Sequence, residues 1–198
     1  DLTLFSTPHG TRPGGEAGNL LSARYLEKPF AMPTPQNNGG PNFAADRNAI
    51  ALYDFPGHNV LTNFITDMPL RVSSTRGLGA YANVFAIESF MDELAHQSQQ
   101  DPVRFRLRHL SDPRARAVIE QASAYAQQHW GWDPEHATGD GQRGVGLGFA
   151  RYKNVGCYAA VFAEVELQEM VQVKRVLAVI DCGEIVNPDG VRNQIEGG

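Results

Sequence analysis

The sequence predicts an α+β protein: a helical middle, then a β-hairpin-rich sheet, then a terminal helix. Three observations predict it. Two Asp-Pro pairs, Asp101-Pro102 and Asp112-Pro113, each open a run with helical apolar spacing. From Gly144 onward the apolar period changes to two. The first 48 residues, rich in Gly, Pro, Asn and Ser, carry neither period. The 198 residues thus divide into an irregular connecting segment (1–48), a part with strands, a turn and helices (49–136), and a β-rich part with a terminal helix (137–198) that reads as an incomplete domain.

In the connecting segment, Pro33-Thr-Pro-Gln-Asn-Asn-Gly-Gly-Pro41 favours turns and extended surface chain over any packed element. Ala49–Phe55 and Val60–Ile65 read as short strands divided by Pro56-Gly57, and Leu70–Ser73 as a third. Across Ala82–His96, Val84, Ile87, Met91 and Leu94 keep helical spacing, widened by Phe90 and Ala95. Glu88, Asp92 and Glu93 then read as a solvated flank. Asp101 and Asp112 sit where an N-cap belongs, each with Pro at the first helical position. The longer helix, to about His129, is expected to bury Ala115, Val118, Ile119, Ala122, Tyr125 and Ala126 before Trp130-Gly-Trp132 closes it.

After a polar linker at 137–142, Gly144, Gly146 and Gly148 alternate with Val145, Leu147 and Phe149, so one strand face carries no side chains. Such a face admits close approach, and a neighbouring strand or helix is the plainer occupant than a ligand. Val161–Leu167 reads as a strand with one wet face and Val171–Asp181 as its more buried return, with a turn at Gln168-Glu169. Asn187-Pro188 caps a last helix that turns Val191 and Ile195 inward.

Composition excludes several function classes. At 42% hydrophobic and 20% charged residues the chain is an ordinary globular one, and its net charge of −5 gives no basic face for general nucleic-acid binding. No apolar run is long enough to span a membrane, and the first residues show no signal pattern. Six scattered histidines without ligand spacing give no metal site. Cys157 and Cys182 lie in strand-like apolar surroundings and read as buried thiols, with a disulfide between them left open. There is no G-x-S-x-G nucleophile elbow. Glu164 and Glu166, two apart on a strand, share a solvated face. Gly144-Val-Gly146-Leu-Gly148 lacks the helix that a nucleotide-binding loop needs.

What remains is Arg76-Gly-Leu-Gly-Ala-Tyr81, a basic residue and two glycines where a loop hands over to a helix. Glycines let backbone N–H groups approach a ligand, a helix start favours anions, and arginine grips phosphate or carboxylate in a bidentate way. The plain alternative is a tight turn with a surface arginine.

The turn leads into Asn83-Val-Phe-Ala-Ile-Glu-Ser-Phe-Met-Asp-Glu-Leu-Ala95. This stretch resembles the molybdopterin-binding large subunits of the xanthine dehydrogenase and aldehyde oxidase superfamily, in particular the isoquinoline 1-oxidoreductase type. Asp101–Leu107, Asp112–Val118 and the block Val179–Gly198 fit the same family in the same order, so the resemblance covers roughly residues 45–198. It implies part of a molybdopterin-binding domain from a larger enzyme. That enzyme would hydroxylate an N-heterocycle or aldehyde with oxygen from water, using molybdopterin in its cytosine dinucleotide form. A small iron–sulfur subunit would pass the electrons to an acceptor such as a cytochrome.

By the same resemblance Arg76, Gly77, Leu78 and Gly79 would line the pterin and metal region, Leu78 would shape the substrate pocket, and Gln194 would be a further cofactor neighbour. The family's Gly-x-Gly-Glu motif with its catalytic glutamate is not in this sequence, nor is the glycine-rich segment that precedes this region in relatives. No catalytic residue is therefore expected within these residues, and the piece alone is expected to be inactive and to hold no cofactor. The reading from a different class is a non-catalytic ligand-binding or assembly module that retains the fold. The resemblance leaves substrate and compartment open.

Overall fold

The computed structural model describes residues 1–7, 15–34, 44–67, 74–133 and 141–198. They form two compact units, one from residues 1–51 and 57–83, the other from residues 52–56 and 84–198.

The first unit contains a strand the composition hid. β1 (Leu2–Ser6) pairs in parallel with β2 (Val60–Phe64), from Leu2↔Val60 to Ser6↔Phe64. The expectation that residues 1–48 hold no packed element is corrected here. Short 3₁₀ turns at Ala17–Asn19 and Leu21–Tyr25 bury Gly18, Asn19 and Ala23. β1 escaped notice because a five-residue strand whose partner lies far along the chain has no local signature; pairing alone defines it. Val60–Ile65 was expected as a strand and is one to within a residue.

Ala49–Phe55, by contrast, is not a strand. The run is divided between the two units, and its residues are used singly. Ala49 and Tyr53 are buried while Ile50 and Asp54 are exposed. The expected strand at Leu70–Ser73 falls outside the described residues, as does most of the 137–142 linker.

Three helices follow: α1 (Ala80–Gln97), α2 (Pro102–Arg108) and α3 (Pro113–Trp130). The first residues of α1 group with the first unit and the remainder with the second. Asp101 accepts N–H bonds from Val103 and Arg104, and Asp112 from Arg114 and Ala115, so both acids cap as their spacing requires. Gly131, left-handed at φ 65°, ends α3. Of the predicted inner residues of α3 only Tyr125 departs; it is 46% exposed and stacks its ring beside His129. On α1, Phe90 is likewise exposed.

The second unit is completed by the antiparallel sheet β3 (Arg143–Arg151), β4 (Tyr158–Leu167) and β5 (Val171–Asp181), in that spatial order, and by α4 (Pro188–Glu196). α3 lies against β4 and β5. The core sits on that face of the sheet: Leu147 and Phe149 of β3 with Tyr158, Ala160 and Phe162 of β4. Trp132 meets Phe162 edge-on at 4.8 Å.

Four burial expectations fail here. Tyr158, Ala160 and Phe162, not the valine side of β4, face the core, and β5 is exposed from Val171 to Val176. Alternation identifies two faces but not which one meets a helix. α4 buries none of its residues, with Ile195 39% exposed. Cys157 and Cys182 are exposed free thiols, contrary to expectation. Cys157 precedes β4 and Cys182 follows β5, where the chain leaves the sheet.

Candidate functional site

The Arg76 turn belongs to the first unit. Leu78 N–H donates to the Thr75 carbonyl at 3.2 Å and Ala80 N–H to the Gly77 carbonyl at 3.1 Å, so the chain coils tightly before α1. Gly77 is left-handed at φ 85°, and Leu78 at φ 53° shares that region at a steric cost of about 1–2 kcal/mol. A leucine held there marks a turn imposed by its surroundings.

Those surroundings are the buried turn at residues 44–49. Gly79 donates its N–H to the Ala44 carbonyl at 3.1 Å, and a Cβ on Gly79 would lie 1.9 Å from the Ala45 carbonyl oxygen. Asn83, buried, donates from its amide to the carbonyls of Ala45 at 2.8 Å and Arg47 at 2.9 Å. Gly79 and Asn83 thus clamp the turn to the chain before it, whereas sequence reading assigned Gly79 to a ligand. Arg76 is exposed and Leu78 half-buried at the head of an 18-residue helix. The arrangement presents a guanidinium and a helix start together, a combination suited to an anion.

Arg76, Gly77, Leu78 and Gly79 therefore form one turn. Gln194 belongs to the second unit, exposed on α4, whose N-cap Asn187 accepts the Gly190 N–H at 3.0 Å.

Sequence reasoning missed the most strongly ionic feature of the second unit. Arg106 is fully buried. Its Nε donates to Glu88 Oε2 at 3.0 Å, Nη1 to Asp92 Oδ1 at 2.7 Å and the Pro102 carbonyl at 3.1 Å, and Nη2 to the carbonyls of Glu88 at 3.1 Å and Leu147 at 3.2 Å. All five guanidinium donors are used. Glu88 also accepts from the Tyr53 hydroxyl at 2.7 Å and the Phe149 N–H at 2.8 Å. The solvated flank expected at Glu88 is therefore corrected: Glu88 is 7% exposed, Asp92 is half-buried, and only Glu93 keeps to water.

A signal existed: Val84, Glu88, Met91 and Ala95 form as regular a helical stripe as Val84, Ile87, Met91 and Leu94, and Val103, Arg106 and Leu110 form another. A charge at such a position reads as polar surface unless its partner, far away in sequence, is known.

Burial pushes Glu88 up from the usual carboxylate value against the pull of Arg106, the Tyr53 hydroxyl and the Phe149 N–H. Burial, with Glu88 beside it, holds the Tyr53 hydroxyl well above its ordinary value. Burial alone would lower Arg106, but Glu88, Tyr53 and Asp92 raise it, so the guanidinium stays cationic. With every donor spent inside the protein, the cluster ties α1, α2 and the outer edge of β3 together and has no donor left for a substrate.

Beside it opens a cleft of about 700 Å³ lined by residues that include His96, Gln100, Arg104, Trp132 and Gly146. Trp132 Nε1 and Gln100 Oε1 have no hydrogen-bond partner there. Among the described residues no His, Cys, Asp or Glu cluster could hold a metal ion, and no helix is long and apolar enough to cross a membrane. Glu164 and Glu166 pair with Arg175 and Lys174 respectively.

Comparison with known proteins gives this geometry a context. The molybdopterin cofactor-binding domain family matches residues 75–198. A nicotinate dehydrogenase subunit of Pseudomonas putida is 40% identical over 167 residues, covering 77% of this chain and 14% of that protein. The isoquinoline 1-oxidoreductase beta chain of Brevundimonas diminuta is 34% identical over 127 residues, covering 62% of this chain and 16% of that protein. A membrane-bound aldehyde dehydrogenase of Gluconacetobacter polyoxogenes, whose name carries pyrroloquinoline quinone, is 22% identical over 151 residues, covering 69% of this chain and 20% of that protein. The chain thus spans a fifth or less of the length of these relatives.

Proposed function

Because the chain belongs to the molybdopterin cofactor-binding domain family, we propose that it is part of the large subunit of a molybdenum hydroxylase and forms one wall of its cofactor site. The observation that carries this reading is the Arg76–Gly79 turn. It lies within the family match, at the head of α1, and its exposed guanidinium and helix start fit an anionic pterin or phosphate group.

The bound molybdenum–pterin group, in its cytosine dinucleotide form, would supply the two-electron oxidation of an N-heterocycle or aldehyde, with water as the oxygen source. This chain's residues bind and shape. Arg76 offsets negative charge on the cofactor and the backbone of Gly77 gives it a close seat, while Gly79 serves the site by holding the turn against the Ala44 and Ala45 carbonyls. Leu78 adds apolar wall on the substrate side, and Gln194 a polar contact from α4. No catalytic base is assigned within these residues, since Glu88 is committed to Arg106, Tyr53 and Phe149. Nicotinate and isoquinoline, the compounds in two relatives' names, are both aromatic N-heterocycles, which favours that substrate class. Electrons would leave through a small iron–sulfur subunit to an acceptor such as a cytochrome.

The test uses the native polypeptide that carries this sequence. Its mass should be several times that of these 198 residues, and it should hold molybdenum. Arg76→Ala should lower molybdenum content and heterocycle oxidation together while leaving the circular dichroism spectrum unchanged. Unaltered metal content and activity in that variant would reject the cofactor-wall reading and favour a non-catalytic module. The 198-residue piece by itself should retain no stoichiometric molybdenum through gel filtration.

A further inference from the structure

The second face of the β3–β4–β5 sheet has a composition its surroundings do not explain. The pairing register brings Gly144, Gly146, Gly148 and Ala150 of β3 onto one surface with Ala159, Val161, Ala163 and Val165 of β4. Val176, Ala178 and Ile180 of β5 complete it. Not one of these residues is polar. An antiparallel sheet with a single buried face normally alternates apolar with polar, because the second face meets water. Here the first face holds the core with α3, and the second is apolar as well. That is the pattern of a sheet that forms the middle layer of three.

Nothing among the described residues fills the glycine side of that surface. A Cβ added at Gly146 or Gly148 would meet no atom within 4 Å, and Val176 is 60% exposed. Neither glycine has the positive φ that would demand a glycine, so local backbone geometry does not account for them. Alternating glycines leave a shallow trough along β3, bordered by the Ala and Val rows of β4. Such a trough admits large apolar side chains or another backbone at close range.

Gly146 also borders the cleft that holds the unpartnered Trp132 indole N–H and Gln100 amide oxygen, so the bare face and an unsatisfied polar edge adjoin. α4, next in the chain after β5, likewise buries nothing, and Val186 just before it is 91% exposed.

We propose that this face is covered by a further segment of the same parent polypeptide, which lays large apolar side chains into the Gly144–Gly148 trough. The source follows from three observations. The surface is apolar throughout, and permanent contacts are more apolar than transient ones. Its glycines permit packing at core distance. And the relatives are several times longer than this chain, so ample polypeptide exists to supply a third layer. The inference rests on the reading of the chain as part of a longer subunit, but not on the reaction or on the Arg76 turn.

The experiment uses the native polypeptide with Ala163→Cys, probed by a maleimide and read at residue 163 by mass spectrometry. Burial under a third layer should slow labelling about a hundredfold or more relative to a free thiol, independent of protein concentration. As a second readout, Gly148→Leu should lower the melting temperature by several degrees. On an uncovered strand face the same change would be neutral or stabilising, since leucine loses less backbone entropy than glycine.

Labelling at the free-thiol rate, or a Gly148→Leu variant as stable as the parent, would overturn the proposal. So would protection that disappears on dilution, which would assign the face to a second copy, or a native polypeptide no longer than these 198 residues. A covered face with unchanged activity in Arg76→Ala would leave this inference standing while the cofactor-wall reading fell.

Discussion

Arg106 is buried at no cost in unmade hydrogen bonds, which makes its neighbours sensitive to its removal. Arg106→Met would leave Glu88 enclosed without its main counter-charge. The expected loss is about 3–5 kcal/mol, measured by urea denaturation. The double variant Arg106→Met with Glu88→Gln should recover part of that loss, because the uncompensated charge goes with it. A lysine at 106 should not rescue, since an ammonium has three donors in place of a five-donor fork.

At the other site the backbone is the sensitive element. Gly79→Ala should destabilise the turn by about 1–3 kcal/mol, through the clash with the Ala45 carbonyl oxygen 1.9 Å from the new methyl. In the native polypeptide it should lower molybdenum content as Arg76→Ala does, though by displacing the turn and not by removing a charge. Molybdenum content unchanged in a folded Gly79→Ala variant would argue against the turn as a cofactor wall.

Among the elements, α3 is tied at its start to both β4 and β5. Asp112, its N-cap, also accepts from the Tyr158 hydroxyl of β4 at 2.7 Å. Arg114 grips Asp181 at the end of β5 through two bonds, of 2.7 and 2.6 Å. Asp101 makes no such link to the sheet in capping α2. Asp101→Ala should therefore cost about 1 kcal/mol, and Asp112→Ala nearer the upper end of the capping range, about 2 kcal/mol, by chemical denaturation.

The same corner sets the response to acid. Hydrogen bonds from Arg114, then from the Gly183 N–H, lower Asp181 from 3.8 to about 2. Asp112 is lowered as well: burial opposes this, but the Tyr158 hydroxyl and the Ala115 and Arg114 N–H groups outweigh it. A carboxylate held below its unfolded value stabilises fully above that value, and the contribution is lost as pH falls through the folded value. The melting temperature should thus decline between about pH 4 and pH 2. Asp181→Asn should lower it at neutral pH and flatten that decline; an unchanged slope would mean the Arg114 tie adds nothing to folding.

For the molecule as a whole, the exposed thiols make a direct check on the chain paths that leave the sheet. Cys157 and Cys182 should both react with a thiol reagent in the folded 198-residue chain without denaturant. Protection of either one there would place it in a contact that the fold does not contain.

Residue order alone was enough to specify the helices, the Asp-Pro starts of α2 and α3, the β3 strand, the β4–β5 hairpin and the family, because caps, periodicity and motifs are written in neighbouring residues. The three-dimensional fold was needed to establish that Leu2–Ser6 is a strand, that Glu88 is inside, and that Tyr158, Ala160 and Phe162 are the core side of β4. Each of these depends on a partner distant in sequence: β2 for β1, Arg106 for Glu88, α3 for β4. A local pattern shows that a residue can be buried or paired, and contact with a remote segment settles whether it is.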